Sequence, residues 1–147
     1  MEFFDKKIRS FITSNVELDY QFRFEKFKVG RSNITFKIFD DSNSYVLRRP
    51  PFGDKLESAH NMQREFRIIS ELSKNNIKVP KPILICTDRT ISDDDFYIME
   101  YVDGVTIADN LVADNYSNND KKEITNSFIT TLAELLLAAD GRFFRKG

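Results

Sequence analysis

The sequence is poor in the residues that make disulfides and metal centres. It holds one cysteine, Cys86, and one histidine, His60. A disulfide within the chain is excluded, and so is a zinc site built from cysteine and histidine within one chain. Both absences suit a reducing cytoplasm, which is the expected compartment. Charge of one sign is missing too: 22 basic residues face 23 acidic ones, a net charge of -1. That balance argues against a nucleic-acid binder, which needs a basic surface. The longest apolar stretch near the end, Leu135 to Ala139, is far too short to span a bilayer. No basic start followed by an apolar run and a small-residue cleavage site is visible, so neither a signal peptide nor a membrane partner is expected.

What is present describes a globular protein. Apolar residues make up 41% of the 147 and charged residues 31%, which is neither disordered nor fibrous. The length fits one ordinary domain or a piece of a larger one. Phe3, Phe4, Ile8, Phe11 and Ile12 fit one face of a short helix. Tyr20, Phe22 and Phe24 then alternate with polar residues, as do Ile34, Phe36 and Ile38. Tyr45 to Leu47 continue after the turn residues Asp40 to Ser44, so residues 20 to 49 read as a three-stranded antiparallel meander. Pro50 and Pro51 stop it. Ser58 is a candidate cap for a helix carrying Met62, Phe66, Ile69 and Leu72, ended by Asn75 and Asn76. Ile83 to Cys86 read as a buried strand, and Phe96 to Tyr101 as another beyond the turn at Asp93 to Asp95. Asp120 and Glu123 resemble a capping box, with Asp120 as the cap of a helix striped by Ile124, Phe128, Leu132, Leu135 and Leu136. Gly141 can end that helix, and the last residues have no readable structure.

Four features of this β-β-β-α-β-β order carry chemistry, and each has a bland counterpart. The segment Val29-Gly30-Arg31-Ser32-Asn33 is a hairpin turn led by glycine. Without a Cβ in the way, such a turn can lay backbone N–H groups against phosphates; alone it is more often an ordinary turn. Arg48 ends the third strand on the face of Val46, with Arg49 on the opposite face. A cation there can reach a phosphate, or be a plain strand-end arginine. Glu65, in the following helix, can pair with that cation or face solvent. Glu100-Tyr101-Val102, leading to Gly104, can offer backbone groups to a base edge or simply turn. His60 reads as a surface or packing residue at a helix start, and Cys86 as inert core. Nine acids against one base, Arg89, between Asp88 and Asp120 read as a solvated surface. Asn33-Ile34-Thr35 and Asn115-Tyr116-Ser117 are chance glycosylation matches in a chain with no visible signal peptide.

Taken together the features resemble the small lobe of the aminoglycoside phosphotransferase-like, or choline-kinase-like, small-molecule kinases. Within that group the chain is most similar to the phosphotransferase domains associated with acyl-CoA dehydrogenase family members. The resemblance rests on Gly30 to Thr35, Tyr45-Val46-Leu47-Arg48-Arg49-Pro50-Pro51, Ser58-Ala59-His60 with Arg64-Glu65-Phe66, Val79-Pro80-Lys81-Pro82, and Phe96 to Tyr101 with Gly104. It implies an α+β fold: a protein-kinase-like lobe of five antiparallel strands with an αC-type helix, plus the first helices of a second lobe. The implied division is 1–98 for the small, ATP-side lobe, 99–104 for the hinge and 105–147 for a truncated start of the large lobe. By the same resemblance Gly30, Arg31, Ser32 and Asn33 form the nucleotide loop, and Arg48 stands where kinases usually carry a phosphate-contacting lysine. Glu65 is its partner, and Glu100, Tyr101 and Val102 hold adenine. Arginine keeps the charge but favours a planar, two-pronged contact.

The cofactor implied is ATP, with Mg2+ in an intact enzyme of the family. The catalytic half of the motif set is missing. The family's His-Gly-Asp loop, followed after four residues by Asn, has no counterpart, since the sole histidine, His60, precedes Asn61. No catalytic or metal-binding residue is therefore assigned, and phosphate transfer by this chain alone is not expected. The implied partners are a nucleotide, and a small-molecule acceptor only where a large lobe is supplied. A shifted frame or early stop, a cut piece, or a short protein that keeps the lobe for binding all fit. Two other readings stand beside the phosphotransferase lobe. One is a non-catalytic nucleotide-binding or protein-interaction module. The other is a functionless fragment that self-associates through the open face of its C-terminal helix.

Overall fold

The computed structural model describes residues 3–27, 33–53, 61–105 and 115–139. Helix α1 (Lys6–Thr13) precedes three strands, β1 (Arg23–Lys26), β2 (Ile34–Phe39) and β3 (Ser44–Arg49). Helix α2 (Met62–Lys74), strands β4 (Pro82–Cys86) and β5 (Phe96–Glu100), and helix α3 (Asn118–Ala139) follow. The five strands form one sheet in the order β1-β2-β3-β5-β4, and every neighbouring pair is antiparallel.

Alternation along the strands sorts side chains onto two faces. Phe36 and Ile38 of β2, Leu47 of β3, Phe96 and Ile98 of β5 and Cys86 of β4 share one face. Helix α1 covers it with Ile8 and Ile12, and Phe4, Val16, Leu18 and Phe22 complete the cluster. Ile12, Ile38, Leu47, Phe96 and Ile98 are fully buried, each contributing about 1.5–3 kcal/mol of transfer free energy. Asp5 caps α1 by accepting the N–H of Ile8 at 3.0 Å. Arg9 ties the helix to the chain before β1, donating to the carbonyls of Phe4, Tyr20 and Phe22.

Helix α2 covers the opposite face. Asn61 is its cap, accepting from the N–H of Arg64 at 2.8 Å; the candidate cap Ser58 lies outside the described residues. Its end follows the Schellman pattern. Asn76 takes a left-handed φ of 58°, Ile77 N–H returns to the Leu72 carbonyl and Asn76 N–H to that of Ser73.

The sequence reading needs three corrections here. The first strand begins at Arg23 rather than Tyr20, because the Phe22 N–H turns back to the Asp19 carbonyl. Its residues are all exposed, as suits an edge strand. The run Ile83–Cys86 is not buried throughout: β4 is the other edge, and Ile83 is exposed while Cys86 is buried. The last helix starts a turn earlier than expected. Ser117 is the cap and Asp120 its reciprocal partner: Ser117 N–H and Oγ donate to Asp120 Oδ2 at 3.1 and 2.6 Å. Gly141 lies outside the described residues.

Candidate functional site

The site is built on the α2 face of the sheet. Register sets Thr35 beside Arg48 and Arg48 beside Tyr97, so β2, β3 and β5 contribute one row of side chains. Lys37, Val46 and Met99 form the next row. Because these positions alternate with the α1-facing core residues, the core fixes where they point.

Glu65 stands in the first turns of α2, where a carboxylate is favoured by the helix dipole. The structure brings it to Arg48: Oε2 lies 3.0 Å from Arg48 Nε, with both side chains about one-third exposed or less. The contact is an ion pair without a hydrogen bond, since the buried Nε–H is not aimed at an acceptor. Asn33 Nδ2 donates to Glu65 Oε1 at 2.8 Å, and the Tyr97 hydroxyl donates to Oε2 at 3.2 Å. Burial pushes the Tyr97 hydroxyl well above the ordinary tyrosine range, and the neighbouring Glu65 carboxylate adds to it against the opposing pull of Arg48. Tyr97 therefore remains a donor. Phe66 of α2 packs on its ring with centroids 5.9 Å apart.

A second cation lies on this face. Lys37 Nζ sits 4.0 Å from the centroid of the Tyr101 ring. Sequence reasoning gave neither Lys37 nor Tyr97 a role at the site. Lys37 was within reach, since it lies one strand period beyond Thr35 on a strand already recognised. Tyr97 meets Arg48 only through register between distant segments, which no local pattern reveals.

At the end of β5, one expectation needs correcting. The Glu100 N–H is not free for a base edge, because it donates to the Lys81 carbonyl at 2.8 Å. The Glu100 carboxylate in turn accepts the Lys81 N–H at 3.2 Å. Val102 is exposed, and among the described residues nothing hydrogen-bonds its backbone. Gly30, Arg31 and Ser32 lie outside the described residues, as does His60. Cys86 is buried and its thiol is pushed up by desolvation, which keeps it unreactive. Among the described residues no group of three His, Cys, Asp or Glu could hold a metal ion, and no helix is long and apolar enough to cross a membrane.

Comparison with known proteins places the chain in a family. Acyl-CoA dehydrogenase family member 11 of Homo sapiens is 36% identical over 110 residues, covering 75% of this chain and 14% of that protein. Acyl-CoA dehydrogenase family member 10 of Mus musculus is 39% identical over 84 residues, 57% of this chain and 8% of that protein. The crystal structure of a candidate aminoglycoside phosphotransferase from Ralstonia eutropha superposes with a TM-score of 0.56 at 30% identity. That match covers 71% of this chain and 29% of the other. The chain thus spans a small fraction of the relatives it matches. A sequence model of the phosphotransferase enzyme family matches residues 23–146, which takes in the whole sheet, α2 and α3. With its five-stranded antiparallel sheet and the Arg48–Glu65 pair below it, this α+β chain belongs to the phosphotransferase enzyme family.

Proposed function

We propose that the chain is the ATP-side lobe of a small-molecule phosphotransferase. The observation that carries this reading is the Arg48–Glu65 ion pair, a strand cation held by a carboxylate of the following helix. The two terminal nitrogens of Arg48 meet no hydrogen-bond acceptor among the described residues. They form a planar two-pronged edge that suits phosphate oxygens. The nucleotide-loop role of Gly30, Arg31, Ser32 and Asn33 is part of this proposal and rests on the sequence resemblance. Adenine contacts the segment 100–102 through the Val102 N–H and the Glu100 carbonyl, with Tyr101 beside it. Residues 1–98 are then the small lobe, 99–104 the connector and 105–147 the start of the large lobe. Mg2+ and the acceptor bind to groups that these 147 residues do not contain, as the sequence has no His-Gly-Asp. The compartment is cytoplasmic, consistent with a single buried cysteine.

Titration of the chain with MgATP tests the reading. Saturable binding without ATP turnover is expected. No binding up to millimolar nucleotide overturns it. A second reading, a protein-interaction module, is favoured by α3: Phe128, Ile129, Leu136 and Leu137 are all more than half exposed. Light scattering tests whether that face meets a second copy of the chain: concentration-dependent association supports self-association, and a monomer at every concentration removes it.

A further inference from the structure

The Glu65 carboxylate is a junction between four pieces of the fold. Glu65 comes from α2, Arg48 from β3, Tyr97 from β5, and Asn33 from the residue leading into β2. Oε1 accepts from Asn33 at 2.8 Å, and Oε2 accepts from Tyr97 at 3.2 Å while lying 3.0 Å from Arg48 Nε. An ion pair whose N–H is not aimed at its partner leaves the turn of the carboxylate to be set by its other contacts. The terminal torsion of a glutamate is soft and broadly two-fold, so a carboxylate held by Arg48 alone can turn. Hydrogen bonds to both oxygens remove that freedom.

We propose that Asn33 and Tyr97 are positioning residues. They orient the Glu65 carboxylate, and through it the Arg48 guanidinium, so that the cation keeps one orientation before any ligand arrives. Asn33 also joins the start of β2 to α2, so the strand below the hairpin and the helix opposite move together. Tyr97 is matched to its part: it is buried, packed on Phe66, and able only to donate to a carboxylate. That Arg48 then serves a nucleotide phosphate rests on the reading above. The positioning itself does not.

The test uses the full chain and nitrogen relaxation of the Arg48 Nε–H bond. In the wild-type chain this bond is expected to be as rigid as backbone, with an order parameter of about 0.85. Tyr97→Phe and Asn33→Ala are each expected to lower it to about 0.6 or below, with the backbone spectrum otherwise unchanged. Tyr45→Phe, on the opposite face of β3, leaves it unchanged. An order parameter unaltered by both site substitutions overturns the proposal. If Tyr97→Phe fails to fold, Asn33→Ala, at a half-buried position beside the strand, decides alone.

MgATP titration forms the second arm. Each site substitution is expected to weaken binding about fivefold, less than the loss of Arg48 itself because both residues act through Glu65. Binding that stays unchanged in both, while the wild type binds, also overturns the proposal. A wild-type chain that binds no MgATP removes the nucleotide reading, and the relaxation arm then decides the positioning by itself.

Discussion

Two arginines stand next to each other in β3 and lead opposite lives. Arg49 points to the α1 side and is enclosed. Its side chain is 5% exposed, Nη2 donates to Asp94 at 2.7 Å and Nε to the Pro50 carbonyl at 3.0 Å. The rings of Phe52 and Phe3 lie 3.9 and 4.4 Å from the guanidinium carbon. Arg48 points to the α2 side, is 32% exposed, and among the described residues engages one carboxylate, through Nε. The difference follows from strand alternation alone, since one residue of chain reverses the face. It teaches which charge the fold consumes and which it presents. Arg49 links the N-terminal Phe3, the loop after β3 and the Asp94 turn into one body. Arg48 is held in place but left with donors to offer.

The largest effect should come from breaking the enclosed member. Arg49→Ala leaves Asp94 without its arginine and opens a gap between Phe3 and Phe52. Removing one partner of a buried pair costs about 3–5 kcal/mol, so a drop of that size in urea unfolding is expected. Arg49→Met, which keeps most of the volume, should recover part of the loss to packing but not the contact with Asp94. A loss within about 0.5 kcal/mol for Arg49→Ala would show that the two arginines are not different in kind.

The exposed member should give the reverse profile. Arg48→Ala is expected to cost less than about 1 kcal/mol in stability, the range of a partly exposed ion pair. MgATP binding, in contrast, should fall about 10- to 100-fold, the value of a hydrogen bond to a charged group. If stability falls as far as in Arg49→Ala while affinity holds, Arg48 is structural and the comparison fails. Glu65→Gln sharpens the point. Its effect on affinity should be much smaller in an Arg48→Ala background than in the wild type. Two additive losses would mean that the carboxylate does not act through the arginine.

Much of this fold is written locally. Alternating Phe36 and Ile38, the prolines after Arg49, and the Asn75-Asn76 stop after a periodic helix each carry their meaning within a few residues. The Arg48–Glu65 pair could also be anticipated, because a strand-end cation followed by a helical carboxylate is a recognisable order. What could not be read depends on long-range placement. Tyr97 reaches Glu65 only because β5 lies beside β3 rather than beside β2. Ile83 looks like core in sequence, yet β4 is an edge, so one of its faces stays open. The cap of α3 was ambiguous for a different reason. Ser117 to Asp120 and Asp120 to Glu123 have the same spacing and the same chemistry, and only the geometry selects the first.

The smallest effect lies in pH dependence, and it contrasts the two sides of the sheet through Tyr97. Its folded pKa is raised, chiefly because burial penalises the phenolate and further because Glu65 is near. The unfolded chain releases this proton near the ordinary tyrosine value of about 10. Below that pH both states hold the proton, and the stabilising contribution of the protonated, hydrogen-bonded hydroxyl is fully present. As pH rises past about 10 the unfolded state loses the proton first, so stability falls until the folded pKa is passed. Tyr97→Phe removes the group and should flatten this alkaline limb, leaving stability below about pH 9 to reflect the lost hydrogen bond alone. Urea midpoints measured from pH 8 to pH 11 would show the change in slope. An alkaline limb equally steep in Tyr97→Phe would place its origin elsewhere and separate the tyrosine from the charge presented by Arg48 and Glu65.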